Sequence, residues 1–414
     1  MTINLQDILQ NSYQKTNSPK NFDNNYSSST DQDFLVDNSQ ASLSKVALNE
    51  FVEPALNKST IQALTSKKPI VLIMGAGGHG IITLTELLES QEYNYKILYT
   101  TADWGGSQGL WGRLLEVNNY ELDKKLHHKR STFLPFGDAN KLITKFAVAK
   151  YGDVASNLDY RSNDYRNIVT KYQELSTLFG FGIDFNKDFI FYLRQIFEHF
   201  DNNPIDYHKE FCLGYALHHF IYHQKNWNLG LWNQFWQNLD ILPRHIEIVF
   251  CSMHRHILTA KTFIGTDLYG EDSVDKFRET IKINTFKLLN PDNTFANMSV
   301  SFWRMLESVD IIIIPNGSSY NWLPLINHFG IQKILVTKKI VWLINPYFAK
   351  SDQNLTTFLN YFTKLGLKFI SLNNEFSMNS RTKNILKIDK SGLYNSHYLC
   401  EVLKAIINKN CESK

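Results

Sequence analysis

The chain of 414 residues carries 43 basic and 40 acidic side chains, a formal net charge of +3. That near balance argues against a partner selected by bulk charge, whether nucleic acid or an acidic membrane surface, and the length allows one large or two ordinary domains. Four cysteines with no CxxC spacing fit a reducing compartment and give no zinc signature.

The N-terminus, MTINLQDILQNSYQKTNSPK, has polar residues where a secretory signal needs an apolar core. Residues 12–45 are rich in Asn, Ser and Asp and too poor in apolar side chains to offset ordering entropy, so 1–65 reads as a disordered or partly helical tail. From 66 to 410 short β-branched runs ending in glycine or turn residues alternate with amphipathic segments. That pattern predicts an α/β fold class: a Rossmann-like open parallel sheet in three layers. The expected strands are KKPIVLIM, YKILYTTAD (95–103), HIEIVFCSM, VDIIIIPNG, KILVTKKIVWLINP (two strands, or one with a turn) and KFISL. Between the second and third, about residues 141–242, five segments with helical spacing form a large helical insertion, expected to cover a sheet edge or cap the cleft. No run approaches the roughly 20 apolar residues of a membrane span, so a cytoplasmic protein is expected.

Each strand end opens a candidate loop. GAGGHG places Gly75, Gly77 and Gly80 in G-x-G-x-x-G spacing, with Gly78 between them, where a strand gives way to a helix. Bare backbone and helix N–H groups there suit a phosphate, while a merely tight turn is the plain alternative. The acid that an NAD site needs about 20 residues further on is missing, since the second strand ends in Thr100 and Thr101. An ordinary dehydrogenase is thereby disfavoured.

Next come TADWGGSQG and LPFGDANKL. Asp103 and Asp138, at strand ends, suit a shared magnesium ion that also holds a diphosphate; turn or cap aspartates are the alternative for each alone. The loop PNGSSY follows the most hydrophobic strand and offers Gly317, Ser318 and Tyr320 as backbone and hydroxyl donors. His219 and His223 have the i, i+4 spacing of metal ligands but no third ligand nearby, and a packed pair is the simpler reading. The basic run at 124–130 and Arg255 are anion candidates of low specificity. There is no G-x-S-x-G elbow, Walker lysine or kinase signature set.

Taken in order, these loops resemble the CofD-like family, which unites 2-phospho-L-lactate transferases with bacterial gluconeogenesis factors of the YvcK-like kind. AGGHG (76–80) is similar to the family's G-G-G-T-G, ADWGGSQG (102–109) to A-D-D-G-G-S-x-G, and PFGDANK (135–141) to P-P-G-D-x-R-N. FCLGY (211–215) is similar to H-S-x-G-N, GEDSV (270–274) to G-E-S-x-I, PNGSSY (315–320) to G-P-G-S-x-Y, and INPY (344–347) to C-N-x-M. The resemblance spans roughly residues 68–375. This chain departs from it at Trp104, which replaces the second aspartate, at Asn140 and Lys141, which replace arginine and asparagine, and at Phe211 and Tyr215, which replace histidine and asparagine.

The resemblance implies a transferase that moves a phospholactyl- or phosphoenolpyruvyl-type group from a nucleoside diphosphate carrier to an alcohol acceptor, with Mg2+. Asp103 and Asp138 would be its catalytic and metal-holding residues. Nucleotide and phosphate contacts would come from Gly77, Gly78, Gly80, Gly105, Gly106, Ser107, Gly317, Ser318, Tyr320 and Asn345. The alternative is a non-catalytic gluconeogenesis and morphogenesis factor that binds a UDP-sugar or similar nucleotide-sugar, a reading the lost aspartate and the GGSQG loop fit better. Expected partners are a nucleoside diphosphate or nucleotide-sugar ligand and a second copy in a homodimer, with no nucleic acid and no membrane.

Overall fold

The computed structural model describes residues 68–75, 77–102, 134–202, 210–253, 256–277, 283–290, 293–344, 355–374, 385–386 and 394–411, all within the compact unit Ser66–Lys414. The expectations for the tail 1–65, the 124–130 run, Asp103, Trp104, Gly105, Gly106, Ser107, Arg255 and Asn345 fall outside these residues.

In chain order, β1 (Ile70–Met74) is followed by two short helices, α1 (Gly78–Thr83) and α2 (Thr85–Glu89), and by β2 (Asn94–Tyr99). The insertion comes next: α3 (Gly137–Tyr151), a 3-10 segment at Asp153–Asp159, α4 (Tyr165–Phe179), α5 (Ile183–Asn202), α6 (Leu213–Gln224) and α7 (Leu229–Asn238). β3 (Ile246–Phe250) leads into β4 (Ile257–Thr262), β5 (Asp267–Tyr269), α8 (Glu271–Phe277) and β6 (Ile283–Leu289). The last third holds α9 (Val300–Ser308), β7 (Ile311–Ile314), α10 (Ser319–Ile326), α11 (Phe329–Leu335), β8 (Lys339–Leu343), α12 (Leu355–Lys364), β9 (Lys368–Asn374), β10 (Ile385–Leu386) and α13 (Ser396–Cys411).

Local chemistry sets many of these ends. The Asp164 side chain accepts from Arg166 N at 2.8 Å to start α4, and Gly180, left-handed at φ 67°, stops it. Asn228 and Ser299 cap α7 and α9 in the same manner as Asp164.

Seven strands form one sheet in the order β10-β9-β8-β7-β1-β2-β3, and every pairing is parallel. Outward from β1 the chain runs first to β2 and β3, then returns to the other side of β1 for β7, β8 and β9, the doubly wound arrangement. Strands such as IVLIM and IIII are apolar throughout because both faces are covered. On one face Val71, Ile73, Ile97, Ile248 and Ile311 pack against the insertion helices, α2 and α13. On the other, Leu72, Met74, Leu98, Ile312 and Trp342 pack against α9 to α12 and a smaller sheet. The result is the three-layer Rossmann-like fold the sequence predicts.

β3 is an edge strand, and α7 closes that edge. The Asn233 carboxamide donates to Ile248 O and accepts from Ile248 N, both at 2.9 Å, and Gln237 donates to Ile246 O at 3.0 Å. One side chain thus does what a neighbouring strand would do.

Two features differ from expectation. KILVTKKIVWLINP is not strand from its start: KIL ends α11, and of the run's described residues Lys339–Leu343 is the strand, because an apolar run of that length serves a partly buried helix as well as a strand. Between β3 and β7 lies an unanticipated antiparallel sheet, β5-β4-β6, whose residues Leu258, Ala260, Leu268, Phe286 and Leu288 join the second core. Among the described residues no helix is long and apolar enough to cross a membrane.

Candidate functional site

β1 and β7 are the neighbours at which strand order reverses, and the crevice beyond their C-terminal ends is where an open sheet of this kind takes a ligand. Two of the motif loops meet there. From β1 come Gly75, Gly77, Gly78 and Gly80; from β7 come Pro315 to Ser319.

The glycines are required first by the meeting of these loops. Gly75 is left-handed at φ 69°, its N–H donates to Leu98 O at 3.0 Å, and a Cβ on it would lie 2.5 Å from Asn321 O. A Cβ on Gly77 would lie 2.2 Å from the Asn321 carboxamide, and one on Gly80 2.3 Å from Asn316 O. The Thr83 hydroxyl, 2.9 Å from both Gly80 O and Asn316 Oδ1, ties the two loops again. Gly317 is different, because a Cβ there would meet nothing within 4 Å. It lies three residues beyond the C-terminal end of β7, with open space on its Cβ side. Gly78 is the first residue of α1, Ser318 precedes α10 as its cap residue, and Tyr320 is half-buried on the first turn of α10.

Asp138 stands in the first turn of α3, which packs against α1, and Tyr99 at the end of β2 donates its hydroxyl to Asp138 O at 3.4 Å. Its carboxylate is mostly buried, and Oδ1 lies 3.0 Å from Lys141 Nζ. Lys141 is the residue that replaces the asparagine of the resembled motif. Lys141 is thus a neighbour that Asp138 Oδ1 engages, and Asp103, the other carboxylate of the expected pair, lies outside the described residues.

The remaining departures lie inside the insertion. Asn140, fully buried, donates to Leu158 O at 3.2 Å and accepts from His218 Nε2 at 3.0 Å. A Cβ on Gly214 would lie 2.1 Å from both Asn140 Oδ1 and Leu158 O, so PFGDANK and FCLGY meet through this pair. Phe211 and Tyr215 are core residues, 2% and 5% exposed. At 211 and 215, where the resembled motif carries polar side chains, this chain has core packing.

Among the described residues His219 and His223 join no group of three or more His, Cys, Asp or Glu side chains. His219 is buried with its ring 5.2 Å from Phe136, and burial pulls its pKa down to about 3; His223 packs on Trp227 at 5.0 Å. A cluster that spacing alone does not announce sits at the ends of β2 and β3. His256 Nε2 donates to Asn297 O at 3.2 Å, leaving Nδ1 to accept from the Thr101 hydroxyl at 2.9 Å, with Cys251 Sγ 3.7 Å from Thr101 Oγ1. Burial pushes the Cys251 thiol up, and Thr101 and His256 are 0% and 1% exposed. The group ties the ends of β2 and β3 together.

No family model matches the chain, and no curated protein does. Two crystal structures of protein BH3568 from Bacillus halodurans, one described as a member of the UPF0052 family, match it in fold. Both give a TM-score of 0.51 at 16% and 17% identity, covering 82% of this chain and 100% of the other. At that identity the likeness is one of fold: this chain shares the open-sheet architecture of a UPF0052 protein.

Proposed function

We propose that the chain is a divergent CofD-like protein that binds the diphosphate of a nucleotide or nucleotide-sugar in the crevice between the ends of β1 and β7. The carrying observation is the open side of Gly317 beside a glycine loop at the reversal point of the sheet. Backbone N–H groups of the two loops would receive the phosphate oxygens. The likeness in fold to a UPF0052 protein, a family grouped with CofD and YvcK proteins, supports the motif resemblance.

Binding without group transfer is favoured over the transferase reading. Lys141 pairs with one oxygen of Asp138, Asn140 is taken up by hydrogen bonds to Leu158 and His218, and Phe211 and Tyr215 are packed in the core. Phospholactyl- or phosphoenolpyruvyl-type transfer is the second reading, since the glycine cradle serves either.

Calorimetric titration with UDP-N-acetylglucosamine, UDP, GTP and GDP, each with and without Mg2+, tests this. We expect metal-independent binding of a UDP-sugar. Binding of a guanosine nucleotide only with Mg2+ would restore the transferase, and no binding by any of the four would remove the site.

A further inference from the structure

A cleft of about 570 Å³ opens beside β3, between α7 and α9, a volume suited to a small molecule. None of the candidate residues of the β1–β7 crevice lines it. Val249, Met253, Phe302 and Met305 supply an apolar lining, and the thioethers of the two methionines adapt to varied apolar shapes. Trp227 forms a further wall. It stands there on a left-handed backbone, φ 58°, directly after Asn226 at φ 53°. Edge-on contacts to Tyr222 at 5.4 Å and His223 at 5.0 Å hold its ring in place.

The charged lining is not balanced. Lys96 and Glu247 pair with each other, which leaves Arg304 as the lining cation with no acidic partner among the described residues. The first turn of α7, Leu229 and Gly230, also lines the cleft, and its dipole adds to that positive field. A cavity that is apolar over part of its surface and positive at one place is complementary to a molecule with an apolar body and one negative group.

We infer that this cleft binds a free small molecule with one anionic group and an apolar, ring-sized body. Arg304 receives the anion, and Met253, Phe302 and Met305 receive the body. This is a second site, independent of the nucleotide reading.

The probe is 8-anilinonaphthalene-1-sulfonate, compared with N-phenyl-1-naphthylamine, which has the same rings and no sulfonate. Fluorescence titration of the full chain is expected to show saturable one-to-one binding of the sulfonate, tighter than that of the neutral probe. Arg304→Gln should weaken the sulfonate about tenfold, the value of one lost charge-assisted hydrogen bond, and leave the neutral probe unchanged. Ser301→Trp, at an exposed position of the lining, should block both probes. Unchanged circular dichroism and melting temperature would show both variants folded. Absent or unsaturable sulfonate binding, equal affinity for the two probes, or sulfonate affinity unmoved by both substitutions would overturn the proposal.

Discussion

Gly80 and Gly317 belong to the two loops that meet beyond β1 and β7 and are expected to respond to substitution in opposite ways. A methyl group on Gly80 would meet a backbone carbonyl at 2.3 Å, which cannot swing aside as a side-chain end can. Gly80→Ala should therefore lower stability by about 1–3 kcal/mol, read from a urea unfolding curve. Gly317→Val should unfold as the wild type does and weaken nucleotide binding at least about tenfold, because its side chain projects into open space that the diphosphate needs. Loss of stability in the second variant, with unchanged affinity, would refute this assignment. The G-x-G-x-x-G spacing marks the loop but does not tell a glycine that touches ligand from one that touches the next loop. That distinction depends on residues 315–322, far away in sequence.

The buried histidines of α6 make a second prediction at this scale. Burial lowers the pKa of His219 to about 3, and burial together with the neighbouring His219 lowers that of His218 well below 6.5. Below pH 6.5 the unfolded chain takes up protons at these positions and the folded chain does not, so the unfolded state binds more protons. Stability should be complete above pH 6.5 and fall as pH drops toward 3, by up to about 1.4 kcal/mol per pH unit for each histidine. Urea midpoints at pH 7, 5.5 and 4.5 check this, and His219→Leu should flatten the dependence.

At the scale of elements, α7 acts as a substitute strand. Asn233→Ala removes both bonds to Ile248 and leaves two buried backbone groups without partners, an expected cost of about 2–4 kcal/mol. It also bares the edge of β3, so light scattering should rise along with the fall in the unfolding midpoint. The five insertion helices are legible in the sequence because each repeats large apolar residues at helical spacing. The small antiparallel sheet is not: β5 has three residues, and it runs at once into the GEDSV segment, which begins α8 after a left-handed Gly270. KILVTKKIVWL misleads for a related reason, since strand-forming residues there fill a short, partly buried helix.

For the molecule as a whole, the strands and their parallel character follow from apolar runs separated by helical segments, while their order does not. That β1 lies between β2 and β7 is fixed by pairing across long stretches of chain, and pattern within a window carries no information about it. The site inherits this limit. The motifs give the loops one at a time, and only the strand order shows which two share a crevice. Asp138 shows the same limit on a smaller scale: the sequence puts it at a strand end, whereas it stands in the first turn of α3 with Lys141 beside it, because the glycine before it opens a helix.

The pairing of β1 with β7 also has a consequence for biosynthesis. Ile70 N donates to Asp310 Oδ2 across a separation of 240 residues, so a ribosome releases β1 long before its partner exists. Until then the side of β1 that β7 will cover stays uncovered, and the crevice has one wall. A chain terminated after Ser308 should consequently sediment with aggregates or chaperones and fail to retain nucleotide, whereas one terminated after Leu343, with β7 and β8 complete, should recover measurable binding. The second wall of the crevice thus exists only once synthesis has passed β7.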